Sequence, residues 1–349
     1  MTARKRPAWP AAAVAALALL SVALGAAGPA ADAPAAPLPV FVSILPQAWF
    51  VERIGGPYVD VGVLVGAGQS PHAFDPTPRQ VTRLAQARIF LRIGWPFEKE
   101  LLRKAEAVNP NLIVIDTREG VPLRWMTPAE ADADAGSEKV SGSEKVSGTL
   151  RLKVPDTFSD RAPPTAADHA AAGAGDHPAA GRAGQPDPHS WLNPRLAKIQ
   201  AATIEKALAA ADPAHADTFR KNLAALLEDL DRLDARLREV LAPLKGKAFF
   251  VYHPAFGYFA DAYGLVQVPV EIEGKEPGAR QLAALVARAK ADGVRILFVQ
   301  PQFSARSAGA VAEAIGGAVI PMDPLAGDYA ANLLDMAGKI RQALGAEKK

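Results

Sequence analysis

Apolar and polar positions along the chain run through one alternation, pause, and then run through it again. Leu38 to Ile44 (LPVFVSI) and Val59 to Val65 (VDVGVLV) are short β-rich apolar runs, and Gln47 to Ile54 between them reads as a helix stopped by Gly55-Gly56-Pro57. Pro78 to Ala87 keeps Val81, Leu84 and Ala85 on one face behind Thr77 as N-cap, and strands follow at Ile89 to Ile93 and Leu112 to Asp116. Strands alternating with helices predict a parallel α/β sheet. The second round supplies strands at Ala248 to Tyr252, Val266 to Val270, Arg295 to Gln300 and Ala318 to Pro321. Its helices are Gln281 to Asp292, Ser307 to Ile315 and a closing Asn332 to Leu344.

Two helices separate the rounds, Pro194 to Ala211 and Ala214 to Leu241. The second carries Phe219, Leu223, Leu226, Leu230, Leu233 and Leu237 as a stripe at helical spacing, with charges on its other faces. At about 1.5 Å per residue it is long enough to cross a whole domain. His215, in its first turn, reads as a solvated surface residue. The predicted fold class is α/β, with two lobes, each a roughly four-stranded parallel sheet flanked by helices, joined by one long rigid helix. The lobes take residues 38–211 and 246–349, and the linking helix takes 213–244.

The pause has its own composition. Residues from about 126 to 186 read as a disordered loop inside the first lobe; Ser137 to Gly142 and Ser143 to Gly148 repeat one hexapeptide, SEKVSG, and Ala162 to Pro186 is rich in Ala, Gly, Pro and Asp. Asp168-His169 and Asp176-His177 lie in it, either as plain linker residues or as a weak metal-collecting segment. At the N-terminus, Arg4, Lys5 and Arg6 precede an apolar run from Ala11 to Leu24 and then small residues, which predicts a cleaved signal over residues 1–33 and a periplasmic location.

The 349 residues suggest about two domains, and 49% apolar residues suffice for two cores. A net charge of +2, with no basic run interleaved with aromatics, gives no sign of a nucleic-acid groove. The absence of cysteine removes disulfides, thiolate metal sites and cysteine nucleophiles.

Four residues carry the chemistry. His72 and His253 lie just past predicted strand ends, Asp323 follows the last strand, and His189 sits on a stiff turn before Asn193-Pro194 opens a helix. Each has a proline beside it: Pro71, Pro254, Pro324 and Pro188. Three imidazoles and a carboxylate make a complete tetrahedral set for zinc, and imidazole suits zinc better than manganese. Their wide spacing favours a site closed between two lobes. Each imidazole must be neutral to bind, so zinc is expected to loosen as pH falls through about 6, with up to three protons taken up.

The stretches SPHAFDPTP at 70–78, DPHSWLNP at 187–194, YHPAFGYFADAYGL at 252–265, EIEGKEP at 271–277 and PMDPL at 321–325 resemble the metal-binding cluster of solute-binding proteins that serve ABC importers for zinc, manganese or iron. The resemblance runs from about residue 39 to 345. It implies metal ligands at His72, His189 and His253 with Asp323 as the fourth, Zn2+ rather than Mn2+ as the transported ion, and an ABC permease with its ATPase as partners of a monomeric, non-enzymatic protein. Phe256, Tyr258 and Trp191 are expected to pack around the site. A manganese or iron carrier of the same family is the alternative. An exported zinc hydrolase is another, with Glu271 or Glu273 as base, although no H-E-x-x-H motif is present. A surface adhesin is a third.

Overall fold

The computed structural model describes residues 36–127, 130, 186–270, 279–291 and 293–345. The expected signal segment, the SEKVSG repeats, His169, His177, Glu271 and Glu273 lie outside these residues. Among the described residues no helix is long and apolar enough to cross a membrane.

The first sheet is parallel throughout, with strands β1 (Leu38–Ile44), β2 (Val59–Val65), β3 (Ile89–Arg92) and β4 (Ile113–Asp116) in the order β2-β1-β3-β4. Val40 lies between Val61 and Ile89, and Phe41 faces Gly62. The Phe41 ring occupies the space where a Cβ on Gly62 would stand, 2.2 Å away, so this register needs glycine there. The second sheet repeats the order as β6-β5-β7-β8, from β5 (Ala248–Val251), β6 (Val266–Pro269), β7 (Ile296–Val299) and β8 (Ala318–Pro321).

Helices flank both sheets, as parallel connections require. The first half carries α1 (Leu45–Gly55), α2 (Pro78–Ala85) and α3 (Pro96–Val108). α2 starts where expected because Thr77 and Gln80 form a reciprocal capping box. α4 (Pro194–Ala211) is opened by the Asn193 side chain, which accepts from the Arg195 backbone N–H. α5 (Ala216–Leu241) runs for 26 residues and buries Phe219, Leu226, Leu230, Leu233, Leu237 and Leu241. At about 1.5–3 kcal/mol for each fully buried side chain, that stripe outweighs any intrinsic preference of so charged a helix. α6 (Gly257–Tyr263), α7 (Ala279–Ala291), α8 (Ala305–Ala314) and α9 (Tyr329–Gly345) complete the second half.

Among the described residues there are two apolar clusters, but not one per half. The larger joins Phe41 and Phe90 of the first sheet to Leu226 and Leu237 of α5, Phe249 and Phe298 of the second sheet, and Met336 of α9. The smaller holds Phe250, Val268, Leu297 and Val311 on the opposite face of the second sheet. Neighbouring residues such as Phe249 and Phe250 point to opposite faces of a strand. The boundary between the cores therefore runs through the second sheet, where two separately cored halves were expected. His215 also differs from its solvated reading: its ring stacks on Tyr58 with centroids 3.8 Å apart, and Nδ1 lies 2.6 Å from Asp212 Oδ2.

Candidate metal centre

Strand ends deliver two of the histidines. His72 sits in a 3-10 turn, Pro71–Ala73, beyond β2, where Ser70 Oγ accepts from its backbone N–H. His253 follows β5 and is held by Gln300, whose amide accepts from His253 N at 3.3 Å and donates to His253 O at 2.7 Å. The third comes from the Asp187-Pro188-His189 turn ahead of α4. There Asp187 Oδ1 accepts from His189 N at 2.9 Å and meets its Nδ1 at 2.8 Å. That contact orients the ring and leaves Nε2 as the nitrogen available to an ion.

The three rings converge. One nitrogen from each of His72, His189 and His253 can be chosen so that all lie within 4.8 Å of one another, and Nε2 of His72 is 3.0 Å from Nε2 of His253. They line a cavity of about 20 Å³, room for roughly one water-sized species. Aromatic rings back them: Trp95 stands edge-on to His72 at 4.8 Å and to His189 at 5.4 Å, and Phe303 stacks on His253 at 4.9 Å. Burial, and then the neighbouring His189, pushes the His72 imidazole down to about 3. Burial first, then His72 and His189, holds His253 well below the ordinary histidine value. These two rings are thus neutral before any ion arrives. For them the competition with protons expected near pH 6 moves to more acid conditions.

Asp323 follows β8 but does not join the three histidines. Its Oδ1 accepts from Gln302 Nε2 and from Leu325 N, both at 2.9 Å. Of the aromatic residues expected nearby, Trp191 is buried 5.3 Å from the His189 ring and donates from Nε1 to Pro324 O at 2.9 Å. Phe256 is fully buried. The Tyr258 hydroxyl instead accepts from Arg124 N at 2.7 Å.

Other residues at the site had escaped the reading of the sequence. The backbone just before Trp95 is held by Glu98, a buried carboxylate in the first turn of α3 that accepts from Ile93 N at 2.9 Å and Gly94 N at 2.7 Å and is also bonded by Ser43 Oγ. Burial raises its pKa more than these bonds lower it. A proline after Trp95, with Glu98 three residues on, is a helix-start signal that could have exposed α3 and its role. Gln300 and Gln302 had no such signal, because their partners are distant in sequence.

Known proteins of this kind share the arrangement's fold. The family model described as zinc-uptake complex component A, periplasmic (ZnuA) matches residues 40–343. A crystal structure of ZnuA is 36% identical, with a TM-score of 0.69 over 88% of this chain and 99% of that one. A zinc-bound ZnuA deletion mutant gives the same identity and TM-score over 89% and 100%. The high-affinity zinc uptake system protein ZnuA of Brucella abortus is 35% identical over 145 residues, 41% of this chain and 43% of that protein. The chain therefore belongs to the ZnuA family, the periplasmic component A of zinc-uptake complexes.

Proposed function

We propose that this protein captures Zn2+ outside the cytoplasmic membrane between His72, His189 and His253, and hands it to an ABC permease driven by a cytoplasmic ATPase. The observation that carries this reading is the convergence of three imidazoles from separate segments, nitrogens within 4.8 Å, in a pocket too small for an organic substrate. Neutral imidazoles are borderline-soft donors that suit zinc, and three of them with one further position fit its tetrahedral preference. Manganese, which leans toward carboxylate and water, gains less from such a set. Asp323 is the proposed fourth donor, with Oδ1 already engaged by Gln302 and Leu325.

The protein is a carrier and not an enzyme. It is exported by a cleaved N-terminal signal to the periplasm and works as a monomer. Neutral, prearranged rings let the ion bind without first expelling a proton from His72 or His253. Metal analysis of protein purified without added metal, followed by competition between zinc and manganese, tests the assignment. One equivalent of zinc and preference for zinc are expected; manganese winning the competition overturns it.

A further inference from the structure

We propose that Arg124 is a positioning residue for zinc capture: it anchors the Asp187 carboxylate, and Asp187 fixes the ring of His189. This rests on the reading of His189 as a zinc ligand. Arg124 and Asp187 face each other where the chain enters and leaves the long insertion. Asp187 N donates to Arg124 O at 2.9 Å, and Trp125 and Pro186 form an antiparallel bridge beside them.

The guanidinium uses all three nitrogens on three carboxylates. Nη1 meets Asp187 Oδ2 at 3.1 Å, Nη2 meets Glu130 Oε1 at 2.8 Å, and Nε meets Asp261 Oδ2 at 2.9 Å. Asp187 divides its oxygens, Oδ2 to Arg124 and Oδ1 to the backbone N–H and the ring Nδ1 of His189, and its side chain is fully buried. A buried carboxylate without its cation is costly, so removing Arg124 displaces Asp187 or re-pairs it, and His189 loses the acceptor that selects its Nδ1–H tautomer. The fork also crosses onto α6 of the second half: Asp261 lies on that helix, the Tyr258 hydroxyl there accepts from the Arg124 backbone N–H, and a Cβ on Gly257 would come within 2.4 Å of the guanidinium carbon. Arg124 thus ties the base of the insertion, the His189 turn and α6 into one junction. Lysine, a single point charge, cannot make this three-way fork.

The experiment has two arms. In metal-free protein, ring-nitrogen NMR shifts of His189 should report one Nδ1–H tautomer, and Arg124→Met should give a mixture, with Arg124→Lys between. Chelator competition should show Arg124→Met weakening zinc about 10–100-fold. In the His189→Ala background the same change should have no further effect. An unchanged tautomer, or equal weakening of zinc in both backgrounds, overturns the proposal. If His189→Ala itself leaves zinc binding intact while Arg124→Met still alters the tautomer, the zinc-site reading fails and the positioning role stands. Arg124→Lys serves both arms should Arg124→Met not fold.

Discussion

Replacing His72 with glutamine removes an imidazole that the fold keeps uncharged, and the change should appear first in how metal-free protein responds to acid. The folded pKa of about 3 lies below the ordinary 6.5, so between those values the unfolded chain binds a proton that the folded chain refuses. Above pH 6.5 the histidine costs nothing on this account; as pH falls toward 3 the folded state is penalised progressively. At pH 5 the penalty is about 2 kcal/mol, from 1.36 kcal/mol per pH unit below the ordinary value. That is an upper figure, because His72 keeps a partly accessible edge. It is still a large share of a total stability of about 5–15 kcal/mol. Urea unfolding with chelator present, at pH 8 and pH 5, should show wild type losing up to about 2 kcal/mol more than His72→Gln between the two conditions. Comparing two pH values cancels the packing cost of the substitution. An identical loss in both proteins would refute the claim that His72 is held neutral. Zinc binding offers a second check. At pH 6 three ordinary histidines would release about two protons; with His72 and His253 already neutral the count should stay below one. Calorimetry in two buffers of different ionisation heat counts them, and two or more would overturn the argument.

Other consequences follow at single residues. His253→Ala should weaken zinc by more than about 100-fold in chelator competition, exceeding the usual loss from an outer-shell partner, and Asp323→Asn, which keeps an oxygen donor but loses the charge, should weaken it less; unchanged affinity in Asp323→Asn would remove Asp323 as the fourth donor. Trp191→Phe should cost about 1–3 kcal/mol in urea unfolding, because Pro324 O loses its donor inside the core and the smaller ring leaves a gap; unchanged stability would deny that link. Deleting residues 162 to 184 should leave tight one-to-one zinc binding, since the Trp125–Pro186 bridge and the Asp187 turn remain. Loss of that binding would place a primary ligand in the deleted segment.

How far the sequence reached depended on the range of the interactions involved. β1 and β2 were legible residue for residue, because a run such as VDVGVLV carries its own preference and is bounded by Gly and Pro. α5 was legible because its stripe repeats for seven turns, although it starts two residues later than expected, after a 3-10 turn at Pro213–His215. α3 was not recognised, its apolar face being interrupted by EKE at 98–100, and α6 has only 7 residues and opens on glycine. The three converging histidines were visible because each stands beside a proline at the end of a strand or the start of a helix. The bonding of Asp323 was not, since Gln302 lies 21 positions away. Arg124 was hidden for the same reason: its carboxylate partners are 6, 63 and 137 positions distant, and nothing local marks it. The division of the cores likewise depends on which face of β5 each phenylalanine takes, and the sequence does not say what covers that face.

The larger apolar cluster also bears on how this chain could be divided. Leu38–Lys349 holds together as one unit, and Phe249 and Phe298 belong to the same apolar cluster as residues of the first sheet and of α5. A cut after α5, at the Gly246 turn, would leave each fragment with a raw apolar face that only the other fragment covers. Neither piece should be obtainable alone as a well-folded product, and the two should reassemble when expressed together. Exchanging one half for that of a distant relative meets the same obstacle, since the graft would have to match a shared interior and not merely a linker. The twofold repetition of strand order is therefore no guide to interchangeable parts.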